Sequence, residues 1–149
     1  MSQTYIGSTL RTGSGTLTDS TDGGYVVVSQ SVAVTTVAAG TAVSGTITLP
    51  AQSQIINFFL DQTVDDVVGG GTATAINATI GTAAAGTQYL SSTNVVAGGR
   101  ASLSFTAAQL TAMSNIGTNT SVVLTIAPNG TISTTQGVYN LTVVYAQKV

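Results

Sequence analysis

An all-β domain is the fold class the sequence predicts: a single β-sandwich or jelly roll of about seven to eight antiparallel strands with one short helix. Three observations carry this expectation. Apolar and polar residues alternate with period two in several short runs from Tyr25 onward. Those runs are separated by short stretches such as Ala38-Ala39-Gly40, Gly69-Gly70-Gly71 and Pro128-Asn129-Gly130, whose residues favour turns. Helical start signals gather at one place only, Thr106.

Residues 1–24, with the segment RTGSGTLTDSTDGG, carry little hydrophobic periodicity. They read as an N-terminal arm or long loop preceding a β domain over residues 25–149. A disordered terminus is one alternative, and an arm that orders only across a neighbouring subunit is another. From Tyr25 the alternation sets Val26, Val28, Val32 and Val34 on one face, with Gln30 as its polar member, and Ser29, Ser31, Ala33 and Thr35 on the other. After the turn at Ala38, Val43, Ile47 and Leu49 continue as a second strand.

The stretch Leu49–Asp66 is expected to be the central strand. It holds two of the three Phe residues and three of the five acidic residues. Strict alternation places Ile56, Phe58 and Leu60 on the core face, opposite Ile55, Asn57, Phe59 and Asp61. Beyond the glycine break, Ile76, Ala78 and Ile80 point inward. A weak strand follows around Tyr89-Leu90, then a short one with Ala101, Leu103 and Phe105.

Thr106 and Gln109 form a capping-box pair, and Phe105 with Leu110 has the spacing of a hydrophobic staple. Leu110 and Met113 then share a helical face, and Gly117 is a stop. Two strands complete the chain: Val122, Leu124 and Ile126 alternate in one, and Tyr139, Leu141, Val143 and Tyr145 in the other.

Composition narrows function more than any motif does. Cysteine, histidine and tryptophan are absent, and all five acids are Asp, so few groups can move a proton near neutral pH. Without histidine, and with Lys148 as the only lysine, hydroxyl nucleophiles lack a base. Charged residues are 5% of the chain, against roughly 25% in an average domain. A surface so poor in charge repels its own copies weakly and is expected to be covered by partners. A formal charge of −2, with Arg11, Arg100 and Lys148 the only cations, argues against a groove that follows nucleic-acid phosphates. Thr, Ser and Gly interrupt every apolar run before it reaches the ~20 residues a spanning helix needs; an outer-membrane barrel of alternating strands is harder to exclude but would need aromatic girdles and an export signal, and no membrane partner is expected. Met1-Ser2-Gln3-Thr4 does not open an export signal, and manufacture and use without Sec export are expected.

Asp61, Asp65 and Asp66 form the densest acidic cluster. Calcium is conceivable there, but the spacing fits no calcium loop, and the better reading is solvated charges that close a strand. Asp19 and Asp22 before Gly23-Gly24 read as turn residues. Gly69-Gly70-Gly71 lacks the Lys-Ser or Lys-Thr of a phosphate loop. Sequons at Asn77, Asn119, Asn129 and Asn140 are expected by chance in a Thr-rich chain. Arg100 could pair with a partner's carboxylate, although a solvated loop charge is the better reading, and Arg11 and Arg100 are the candidates for contacts with another subunit. No catalytic residue, cofactor or metal is assigned.

Taken together, the arm, the Leu49-Pro50-Ala51 turn before the Phe58-Phe59-Leu60 strand, the segment Ile76–Ala83, the capped helix at Thr106 and the Tyr-ending last strand resemble capsid decoration, or cement, proteins of tailed bacteriophages. The resemblance implies a non-enzymatic virion protein, made in the host cytoplasm, that binds the outside of the head as a homotrimer and bridges major capsid protein subunits. A head-fibre or tail module is the alternative within the virion. A non-catalytic carbohydrate-binding or adhesion module, and an Asp-based hydrolase, are alternatives outside it.

Overall fold

Each alternating strand has a dry side and a wet side, and stacking two sheets buries the dry sides together. The computed structural model describes residues 11–12, 15–16, 25–65, 71–96, 98–114, 116–132 and 135–148. Its strands are β1 (Arg11–Thr12), β2 (Gly15–Thr16), β3 (Tyr25–Thr35), β4 (Val43–Leu49), β5 (Ser53–Val64), β6 (Ile76–Gly81), β7 (Leu90–Asn94), β8 (Gly99–Arg100), β9 (Thr120–Pro128) and β10 (Val138–Lys148). One helix, α1 (Ala107–Met113), lies between β8 and β9.

Eight of these strands form two four-stranded antiparallel sheets, ordered β3-β10-β5-β8 and β4-β9-β6-β7. Within them, β6 and β7 are consecutive strands that pair with each other, and every other connection crosses from one sheet to the other. That order is a jelly roll. The small pair β1–β2 stands apart as a two-stranded sheet. Most of the expected N-terminal arm lies outside the described residues.

The core is built from the inward members of both sheets. Leu49, Leu60, Ile76, Ala78, Ile80, Leu90, Leu124, Ile126, Leu141 and Val143 are fully buried. Phe58 is buried among rings, 5.8 Å from Tyr89 and 6.2 Å from Phe105 between centroids. Two buried tyrosines keep their hydroxyls paired: Gln62 Nε2 donates to Tyr139 Oη at 2.9 Å, and Gln30 Nε2 to Tyr145 Oη at 2.6 Å. At the β3/β4 side the sheets approach so closely that a Cβ on Gly45 would sit 2.7 Å from Val34 Cγ2 and 2.8 Å from Val32 Cγ2. Glycine at 45 is a packing requirement.

Three expectations need correction. First, Ile56 is half exposed (50%), whereas Ile55, Phe58 and Leu60 are buried. The register against β10 shifts here: Val144 faces Asn57 and Tyr145 faces Ile55, which leaves Ile56 as an extra residue. This β-bulge reverses the phase of the strand, and Asn57 Oδ1 accepts the Phe58 amide at 2.8 Å within it. Second, Ala101, Leu103 and Phe105 form no strand. They pack half-buried against the core, and the ladder with β5 covers only Gly99 and Arg100, extended by the Ala101 amide donating to Leu60 O. Third, the helix has the capping box at Thr106 and Gln109, but it buries Gln109 and Met113 and leaves Leu110 52% exposed. Gln109 Nε2 reaches Thr87 O and Ser91 Oγ, at 3.2 and 3.0 Å, which ties the helix to β7 and its preceding loop.

Candidate interaction surface

The outer faces of the two sheets differ. On the β4-β9-β6-β7 sheet, the loop between β6 and β7 folds back over the strands. The Ala85 amide donates to Thr125 Oγ1 at 2.9 Å, and Thr125 and Val123 are buried though they point away from the core. The close approach of Gly81 and Gly86 lets the loop turn that tightly: a Cβ on Gly81 would lie 2.4 Å from the Gly86 carbonyl carbon. The β3-β10-β5-β8 sheet has no such cover among the described residues.

Its register sets out the face row by row. One row holds Ala33, Asn140, Asp61 and Arg100, the next Ser31, Thr142 and Phe59, and the next Ser29, Val144 and Asn57. Ser31 and Thr142 share a hydroxyl–hydroxyl hydrogen bond of 2.8 Å. Towards the far end Val27 and Tyr25 on β3 are each 62% exposed, with Lys148 of β10 opposite Tyr25, and Ile56, on β5 across β10 from them, is 50% exposed. The surface is thus polar through hydroxyls and amides, with large apolar side chains left in water.

Among the described residues, the ion pair of this face lies on β5 and β8. Arg100 Nε donates to Asp61 Oδ1 at 2.7 Å, and Nη2 donates to Oδ2 at 3.0 Å, a two-pronged geometry that favours arginine over lysine. The guanidinium carbon also lies 4.8 Å from the centroid of the Phe59 ring, within cation–π range. Gly98 and Gly99, at φ +77° and +70°, bend the chain so that β8 meets the β5 edge. The hydrogen bond from Arg100 holds the Asp61 carboxyl below its ordinary range, and that same bond raises Arg100. A group so committed neither takes up nor releases a proton near neutral pH.

Arg100 therefore pairs with a carboxylate of its own chain and leaves its outer surface, 64% exposed, available for further contact. The side chain of Arg11 lies outside the described residues, as does Asp66. Asp65 is exposed. Among the described residues no group of three acidic, His or Cys side chains could hold a metal ion, and no helix is long and apolar enough to cross a membrane. The sequence singled out Arg100 and Asp61 separately and missed their pairing, along with Phe59 beneath the guanidinium. Phe59 and Asp61 stand two apart on one strand, the spacing of same-face neighbours.

No family model and no curated protein matches the chain. Its fold is similar to that of a chain in the cyanophage Pam1 capsid asymmetric unit, with a TM-score of 0.57 and 24% sequence identity, over 87% of this chain and 89% of that one.

Proposed function

We propose that the chain is a structural protein of a bacteriophage virion that decorates the outside of the assembled head. The observation that carries this reading is the fold likeness to a chain of a phage capsid unit over nearly the whole of both chains. The surface chemistry supports it. A face of hydroxyls, amides and exposed valine, isoleucine and tyrosine suits permanent burial against protein better than the capture of a charged substrate or nucleic acid.

In this reading the protein is not an enzyme. It bridges neighbouring major capsid protein subunits as a homotrimer, and many copies together raise the barrier to capsid opening by multivalency. The Arg100 outer edge and Arg11 are the cations that meet a partner's carboxylates. Residues 1–24 act as an arm across an adjacent subunit, so deletion of residues 1–20 is expected to leave the fold intact and weaken assembly.

The deciding experiment is quantitative peptide mass spectrometry of density-purified particles, with copy number expressed against the major capsid protein. A copy number comparable with that protein is expected. A few copies per particle would overturn the decoration role in favour of a fibre or tail module. Absence from particles, together with saturable binding on a glycan array, would favour an adhesion module.

A further inference from the structure

The edge of the β3-β10-β5-β8 sheet carries an inference that does not depend on the virion reading. Among the described residues β3 pairs with β10 on one side and with no strand on the other. Sheet edges of this kind are ordinarily blunted by charge, proline, a bulge or short length, because unpaired N–H and C=O groups recruit a further strand. β3 has none of these. It runs for 11 residues, YVVVSQSVAVT, without charge or proline, and its register with β10 is unbroken from Tyr25 to Thr35.

The strand also reads nearly the same from either end. About Gln30, Ser29 mirrors Ser31, Val28 mirrors Val32, Val26 mirrors Val34, and Val27 mirrors Ala33. An antiparallel pair of identical strands related by a two-fold axis places residue 30−k of one opposite residue 30+k of the other. Like then meets like along the strand: Gln with Gln, Ser with Ser and Val with Val. The match holds whether Gln30 occupies a hydrogen-bonded or a non-hydrogen-bonded position.

Burial points the same way. Val26, Val28 and Val32 face the core side of the sheet yet remain only half-buried, and Val27 on the outer face is 62% exposed. A further strand would cover both sides at once. We propose that β3 is a homotypic docking edge, on which the β3 of a second copy of this chain adds antiparallel about Gln30, making one eight-stranded sheet across two molecules. This two-fold contact is a different operation from the three-fold of the proposed trimer.

The test uses the full-length chain, which contains no cysteine of its own. Ser29→Cys and Ser31→Cys variants are prepared separately, each at an exposed position, and folding is checked by circular dichroism. Opposite side chains in the paired strands lie close enough to be joined by oxidation or a short bis-maleimide. The equimolar mixture is expected to give ~10-fold more cross-linked dimer than either variant alone, since docking raises the effective thiol concentration. Val27→Cys mixed with Ala33→Cys is expected to repeat the result, and Ser29→Lys with Ser31→Lys in one chain to abolish association in sedimentation. Equal yields from mixed and single variants would overturn the register. No yield above that of a Ser102→Cys control, or protection from exchange in a monomer of those β3 amides that point away from β10, would overturn the docking edge.

Discussion

Phe58 and Ile56 sit two residues apart on β5, and strict alternation would give them the same fate. The bulge separates them: Phe58 is 3% exposed between Tyr89 and Phe105, and Ile56 is 50% exposed on the outer face. Phe58→Ala should therefore cost ~3–5 kcal/mol through lost burial and an unfilled cavity. Ile56→Ser should change stability by less than ~1 kcal/mol, as surface substitutions do. Paired denaturant melts would read both, and equal losses would mean that Ile56 is covered in the folded protein. Arg100 gives a second prediction, in pH. Asp61 titrates lower when folded because Arg100 binds its ionised form. Its contribution is therefore complete above the unfolded-state carboxylate pKa and is lost as the pH falls through the lowered folded value. Stability should decline across that acid window in the wild type and decline less in Asp61→Asn or Arg100→Ala. The difference should be small, because the pair is exposed to solvent screening. Melting curves at several acidic pH values would show it, and parallel profiles would mean that the pair is not formed in solution.

At the scale of elements, the helix is the clearest case of local chemistry dictating structure. Thr106 Oγ1 accepts the Gln109 amide, and Gln109 Oε1 accepts the Thr106 amide at 2.8 Å, so two end donors are satisfied by residues three apart in sequence. Thr106→Ala should destabilise by ~1 kcal/mol, and Gln109→Ala by more, since Gln109 also holds Thr87 and Ser91. Thermal melts would rank them, and a larger loss at Thr106 would show that the cap outweighs the tether. The cap was legible in the sequence because both partners lie within one turn. The buried face of the helix was not: whether Leu110 or Gln109 turns inward depends on where β7 and its loop run. The strands divide in the same way. Inward residues of β6, β9 and β10 follow from alternation alone, as Ile76, Leu124 and Leu141 show. The bulge at Ile56 is invisible there because its cause is the register with Val144 and Tyr145 of β10, far on in the chain. Ala101, Leu103 and Phe105 alternate correctly yet lack a strand partner, since periodicity reports which side faces the core and not what runs alongside.

For the molecule as a whole, strand order could not be read from any run, because each of the β3–β10, β5–β10 and β4–β9 pairs joins segments far apart in the chain. Asp61 and Arg100 are likewise apart in sequence, by 39 residues, which is why their ion pair emerges only in the fold. What the sequence does convey globally is scarcity of charge: three cations and five anions in 149 residues. Of these, Asp61 and Arg100 already neutralise one another, so in the proposed decoration role contacts with other subunits would rest mainly on apolar burial and uncharged hydrogen bonds. At 0.1 M salt, interactions between exposed charges more than about 10 Å apart are largely screened, whereas apolar burial is left largely untouched. Attachment of the purified protein to particles lacking it, followed by sedimentation across a salt series, should therefore weaken little as salt rises, and sulfate should strengthen it through its effect on apolar burial. Release by moderate sodium chloride would mean that the few charges dominate. The Arg100 edge, together with Arg11, would then be the contact to substitute first, ahead of the valines and isoleucine of the outer face.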